Sequence, residues 1–215
     1  MFYERVKNMF GRGSSCSTGG PAVSLPSPSV DDALAASKGQ QTAVFAGGCF
    51  WGIQAVFAHL KGVIRSTSGY SGGTAATATY EKVCSGRTGH AEAVEVVYDP
   101  SEITYGKLLQ VLFSVAHDPT ELNRQGPDVG TQYRSAIFYT SDDQKRIALA
   151  YVDQLNQAKV FLRPIATQIV ALDAFYPAEE YHQDYVEQNP NNMYIVINDL
   201  PKVAQLRKQF PELYR

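Results

Sequence analysis

The chain has 215 residues, 44% of them apolar, and a formal charge of −2. That size and composition fit one globular domain with tails, and the near-neutral charge excludes a strong pull toward nucleic acid or an anionic membrane. No apolar run approaches the roughly 20 residues of a spanning helix, and three cysteines, Cys16, Cys49 and Cys84, are too few for a disulfide framework. The chemistry fits a reduced, cytoplasmic setting.

Residues 1–10 mix charged and apolar side chains and lack the apolar core of a secretory signal. Gly, Ser, Thr and Pro dominate residues 11–41, which predicts a flexible extension over 1–40, with a short helical turn over 31–38. Residues 42–46 predict a strand. The sequence Gly47-Gly48-Cys49-Phe50-Trp51-Gly52 follows, and then apolar residues recur at Ile53, Val56, Phe57 and Leu60. Their i, i+3, i+4, i+7 spacing predicts a helix over 51–60. Cys49 therefore falls at a strand-to-helix turn, in the first turn of that helix. Free backbone N–H groups and the positive end of the dipole favour a thiolate there, and the thiolate is cysteine's reactive form.

Residues 63–70 predict a second strand, followed by a loop to residue 79, and residues 91–98 a third, stopped by Asp99-Pro100. Thr104 caps a helix with apolar positions at Leu108, Leu109, Leu112, Phe113 and Val115. A loop over 117–132 leads to a strand over 133–139. Ser141 and Gln144 form a capping-box pattern before a helix carrying Ile147, Ala150, Tyr151 and Leu155. A strand over 166–172, a helix that starts near Pro177 and ends before Asn189-Pro190, and a last helix opened by Asp199-Leu200-Pro201 complete the chain. Strands mixed with helices predict an α/β or α+β fold, one domain over 41–198 with a C-terminal helix and tail over 199–215 packed on it.

Glu92 is the strongest partner for Cys49. Side chains alternate along a strand, so Glu92 shares a face with Val94, Val96 and Tyr98. Burial there disfavours the ionised form and keeps a carboxylic acid protonated near neutral pH, ready to act as a general acid. The competing reading places Glu92 at the exposed start of its strand. Tyr80, in Thr79-Tyr80-Glu81, and Tyr133, in Gln132-Tyr133-Arg134, carry phenols able to donate to an oxygen, and Asp128 lies in a Gly/Pro-rich loop. Among His59, His90, His117 and His182 no pair has zinc-ligand spacing, so no metal is expected. A cysteine hydrolase pairing Cys49 with His117 or His182 stays open at this point, as does a non-catalytic module that binds methionine-bearing peptides.

The motifs resemble the peptide methionine sulfoxide reductase A family, which acts on the S epimer of methionine sulfoxide. Four blocks carry the resemblance in family order: Gly48-Cys49-Phe50-Trp51-Gly52, Val83-Cys84-Ser85-Gly86-Arg87-Thr88-Gly89-His90-Ala91-Glu92, Gly130-Thr131-Gln132-Tyr133-Arg134-Ser135, and Glu179-Glu180-Tyr181-His182-Gln183. The resemblance implies an α/β roll around a mixed sheet. It implies that Cys49 attacks the sulfoxide sulfur and becomes a sulfenic acid, that Phe50 and Trp51 hold the S-methyl group, and that Glu92 protonates the oxygen while Tyr80 and Tyr133 hydrogen-bond it. Asp128 helps to organise the pocket, and His182 is structural. No prosthetic cofactor is implied, only an external thiol such as thioredoxin, with the protein acting as a monomer in the repair of oxidised proteins. Many relatives carry resolving cysteines in a Gly-rich C-terminal tail. This chain has no cysteine after Cys84, so Cys84, Cys16 or the external thiol itself must restore Cys49.

Overall fold

The structure, a computed structural model, describes residues 25–215. Its centre is a six-stranded mixed sheet. The strands are β1 (Gln41–Ala46), β2 (Val63–Ser71), β3 (Ala91–Tyr98), β6 (Ala136–Tyr139), β7 (Gln168–Ala171) and β8 (Phe175–Pro177), with a small hairpin of β4 (Arg124–Gln125) and β5 (Asp128–Val129) outside the sheet. The order is β7-β6-β1-β3-β2-β8; only β6 and β7 run parallel. This is the mixed α/β architecture expected from the sequence.

Strand β3 is central, paired with β1 and β2, and both its faces are covered. One face carries Glu92, Val94, Val96 and Tyr98 toward the main core, where Phe45, Phe57 and Leu109 pack. The other carries Ala91 and Ala93 into a smaller cluster with Val44, Ala46 and Phe138. A strand covered on both sides reads as a nearly continuous apolar run, which is the pattern of residues 91–98. Glu95 escapes toward solvent and pairs with exposed Arg65 at 3.1 Å.

Helix α1 (Phe50–Ala58) packs on β2 and β3, burying Ile53, Val56 and Phe57. Each such side chain contributes about 1.5–3 kcal/mol. Helix α3 (Tyr105–Val111) is capped as expected, Thr104 Oγ1 accepting from the Lys107 N–H. It widens into a π turn over Leu112–Ala116, where the Leu112 carbonyl meets the His117 ring. Helix α4 (Asp142–Gln157) is capped by Ser141. Gln144 does not close the box on Ser141; it accepts from the Thr140 N–H and donates to the Thr42 carbonyl, tying α4 to β1.

Four expectations change. Pro177 ends an edge strand rather than opening a helix, because β8 pairs with β2 there; the following segment holds only a short turn at Glu180–His182 and α5 (Tyr185–Gln188). Tyr133 lies in a 3-10 turn ahead of β6, since the ladder with β1 starts at Ala136. Residues 80–83, read as adjoining a loop, form a single helical turn, α2 (Tyr80–Val83), and α6 (Met193–Asn198) precedes α7 (Leu200–Gln209).

The extension is also less free than its composition suggests. From Leu25 onward it packs: Leu25 is buried, its carbonyl accepts from Gln110, and the Pro26 carbonyl accepts from the Tyr151 hydroxyl. The Asp31 carboxylate accepts from Thr104 and from the Gly106 N–H, so no helical turn forms at 31–38. Gly/Pro-rich composition removes helix and strand propensity; it does not stop a chain from packing through its backbone carbonyls and an apolar side chain. Among the described residues no helix is long and apolar enough to cross a membrane.

Candidate functional site

The site forms where the amino end of α1 meets the sheet. Gly48 turns the chain with φ of 94°, a region that L side chains rarely adopt. Cys49 then sits at the helix N-cap, 8% exposed, and its side chain makes no capping bond. The helix end is satisfied from elsewhere. Glu92 Oε2 accepts from the Phe50 N–H at 3.0 Å, bringing a carboxyl from mid-sheet against the residue next to the cysteine.

Two forces act on that carboxyl. Burial disfavours its charge, while the helix N–H favours it; Asp128 and Asp199 add repulsion. A helix-end interaction is worth at most about 2 kcal/mol, whereas desolvating an ion costs several. Burial wins, and the Glu92 carboxyl is pushed up to about 8. Glu92 is 2% exposed, which rules out the reading of an exposed strand start.

Cys49 departs from expectation. The Trp51 backbone N–H favours its thiolate, as a helix start should. Burial, with Glu92 and Asp199 nearby, outweighs that and holds the thiol well above its usual range. Near neutral pH the cysteine is a thiol.

Aromatic rings wall the cysteine. Phe50 is buried and lies against Tyr70 and His182. Trp51 stacks on Tyr185 with ring centres 3.9 Å apart and meets Tyr194 edge-on. The Tyr80 and Tyr133 phenols approach Cys49 and Glu92 from α2 and from the turn before β6, and partial burial and those neighbouring groups push both phenols up, so they stay protonated donors. Asp128 accepts from the Tyr194 hydroxyl, which ties the loop containing β5 to α6. The Cys84 thiol is exposed and lies near the Tyr80 phenol. Cys16 lies outside the described residues.

The histidines have structural work. His117 is buried, with one ring nitrogen on the Leu112 carbonyl and the other 2.7 Å from Ser135 Oγ; burial brings it down to about 4. His182 Nδ1 accepts from the Trp51 indole N–H at 3.1 Å, and its burial favours the neutral ring that this bond requires. Neither bonds to Cys49, so the hydrolase pairing has no support. Among the described residues no group of three His, Cys, Asp or Glu side chains is placed to hold a metal ion.

Sequence reasoning passed over several members of this arrangement. Glu179 accepts from the Tyr70 hydroxyl at 2.8 Å and from the Tyr80 N–H at 2.9 Å, fixing α2 beside the site. Its Glu-Glu-Tyr-His setting was the available signal. Tyr194, Asp199 and Lys202 come from α6 and α7, and nothing in their local sequence distinguishes them from ordinary helix-end residues. A depression of about 570 Å³ lined by Lys38, Gly39, Asp99, Glu102 and Arg215 holds none of the candidate residues.

Fold and site together define an α/β protein organised around a buried cysteine that faces a neutral acid and several phenols. A profile of the family described as peptide methionine sulfoxide reductase matches residues 41–214. The chain is 62% identical over 179 residues to the peptide methionine sulfoxide reductase MsrA 2 of Mesorhizobium japonicum, covering 83% of this chain and 92% of that one. Methionine sulfoxide reductase A of Corynebacterium diphtheriae superposes with a TM-score of 0.61 at 38% identity, covering 80% of this chain and 87% of that one. Reduced Mxr1 from Saccharomyces cerevisiae superposes at 0.63 with 32% identity, covering 74% and 94%. The chain belongs to the peptide methionine sulfoxide reductase family.

Proposed function

We propose that the protein reduces the S epimer of methionine sulfoxide, protein-bound or free, to methionine, and so repairs oxidised proteins. The observation that carries this reading is Glu92: a buried carboxyl that accepts from the Phe50 N–H beside Cys49 and is kept neutral by burial, with the Tyr80 and Tyr133 phenols close by. A sulfoxide oxygen leaves only once protonated, and a neutral acid with two phenols is built to protonate it and to stabilise charge developing there.

Phe50 and Trp51 receive the S-methyl group through apolar and sulfur–aromatic contact. Cys49 Sγ attacks the sulfoxide sulfur. The oxygen takes one proton from Glu92 and the one released by the thiol, and departs as water. The sulfur–sulfur bonded cation that remains is cleaved by water at Sγ. Methionine leaves, Cys49 becomes a sulfenic acid, and the proton released returns to Glu92. Tyr80 and Tyr133 donate to the oxygen, and Asp128, through Tyr194, orders the wall opposite Trp51.

Restoring Cys49 takes two thiols. The first condenses with the sulfenic acid to a disulfide and water, and the second reduces that disulfide. Cys84 serves as the first, being exposed and close to the Tyr80 phenol. A dithiol protein of the thioredoxin class supplies the reduction, and no prosthetic group is needed. The test uses separated sulfoxide epimers with dithiothreitol. Loss of the S epimer alone is expected, and loss of both or of neither refutes the reading. Intact mass after one equivalent of sulfoxide without reductant separates the routes: two hydrogens lost means a disulfide, one oxygen gained means an unresolved sulfenic acid.

A further inference from the structure

The buried pair Asp199–Lys202 has no part in the chemistry above, yet it lies against the first turn of α1. Asp199 is fully buried and stands at the start of α7, where an aspartate ordinarily caps its own helix. Here it does not. Its backbone is helical, with φ of −111° and ψ of −43°, and its side chain makes no capping bond. The carboxylate turns to α1 instead, filling the space that a side chain on Gly52 would occupy. Lys202 Nζ donates to Asp199 Oδ1 at 3.1 Å and lies 2.8 Å from the place where a Gly52 Cβ would be. Asp199 Oδ2 is buried with no partner. Gly52 is three residues from Cys49, so an ammonium and a carboxylate are packed beside the cysteine.

The groups facing Cys49 come from every neighbouring element. Glu92 stands on β3, Tyr80 on α2, Tyr133 before β6, Tyr194 on α6, and Asp199 and Lys202 on α7. Asp128 lies behind Tyr194, and His117 is neutral. All of these but Lys202 are acidic, phenolic or neutral. Among the described residues, a sulfur anion forming in such a buried site has one cation to face.

We propose that Lys202 is a positioning residue for the reaction at Cys49: its ammonium, held in place by Asp199, is the counter-charge for the sulfur anion that forms when the thiol gives up its proton. The proposal deepens the reductase reading, since a counter-charge matters to the reaction only if Cys49 reacts.

Thiol labelling tests it without any sulfoxide. In a Cys16→Ser/Cys84→Ser background, iodoacetamide reports Cys49 alone, and its rate is followed from pH 6 to 10 by mass. Lys202→Gln, which can keep a hydrogen bond to Asp199, is expected to slow labelling at pH 8 by about tenfold, the effect of moving the thiol by about one pH unit. Asp199→Asn leaves the ammonium and removes a competing charge, so labelling is expected to quicken by a similar factor. Lys202→Arg is expected to stay within about threefold of the parent, the cation being kept. A merely structural pair predicts that both neutralising changes act in one direction, because both remove the same ion pair. Shifts of the same sign, or shifts under about twofold in both, overturn the proposal; circular dichroism confirms that each variant is folded. If labelling behaves as expected while sulfoxide reduction is absent, the reductase reading fails and the charge assignment stands.

Discussion

Replacing Glu92 by Gln tests the neutral acid directly, through stability. The side chain is buried and its carboxyl is moved from 4.5 to about 8. At about 1.4 kcal/mol for each pH unit, the displacement corresponds to about 5 kcal/mol. The sign follows from proton counts. Between 4.5 and 8 the folded state keeps a proton that the unfolded state has lost, so stability falls as pH rises. The contribution is fully present below 4.5 and fully lost above about 8. Gln does not titrate and retains an amide oxygen to accept from the Phe50 N–H. Urea denaturation of both proteins at pH 5, 6, 7, 8 and 9 therefore should show the parent losing ground to E92Q by several kcal/mol, most of it before pH 8. Differencing the two proteins cancels the other titrating groups. Parallel stability curves, within about 1 kcal/mol over that range, would refute a buried neutral carboxyl and with it the acid role. In turnover the parent's rate should fall as pH passes about 8, while E92Q should be slow and flat.

Other substitutions probe the frame around that acid. Cys49→Ser should abolish sulfoxide reduction while leaving the melting temperature near that of the parent; retained turnover would move the nucleophile elsewhere. His182→Phe removes the acceptor for the Trp51 indole, at a cost of about 1–3 kcal/mol for a donor left unpaired. Trp51 is the chain's sole tryptophan, so its emission reports the change directly, and KM for the sulfoxide should rise more than kcat falls. Gly52→Ala drives a methyl group into the Asp199–Lys202 pair and should destabilise by about 1–3 kcal/mol, read by thermal melting. Leu25→Ala should cost about 2–5 kcal/mol with reduction unchanged in the folded protein, because Leu25 sits in the core rather than in a free tail.

Local chemistry accounts for what was legible in the sequence. The i, i+3, i+4, i+7 spacing after Cys49 gave α1 because a helix must bury one stripe. The alternation through Glu92 gave its face because strand side chains must alternate. The four motif blocks fixed the family. Cys49, Glu92, Phe50 and Trp51 were readable because each stands out against its immediate neighbours.

Long-range packing decided the rest. Composition marked residues 25–40 as loose, and burial of Leu25 with hydrogen bonds to α3 and α4 holds the segment in place. Helix-start geometry favoured a Cys49 thiolate, and burial beside two carboxyls reversed it, since desolvation depends on the whole surrounding shell. Asp199 read as an ordinary cap for α7, yet its carboxylate crosses to α1 because Gly52 leaves room there. Sequence alone pointed to the cysteine, the acid and the aromatic residues proposed to carry the chemistry. The tertiary structure set their protonation, because charge in a buried site is governed by neighbours that are remote along the chain.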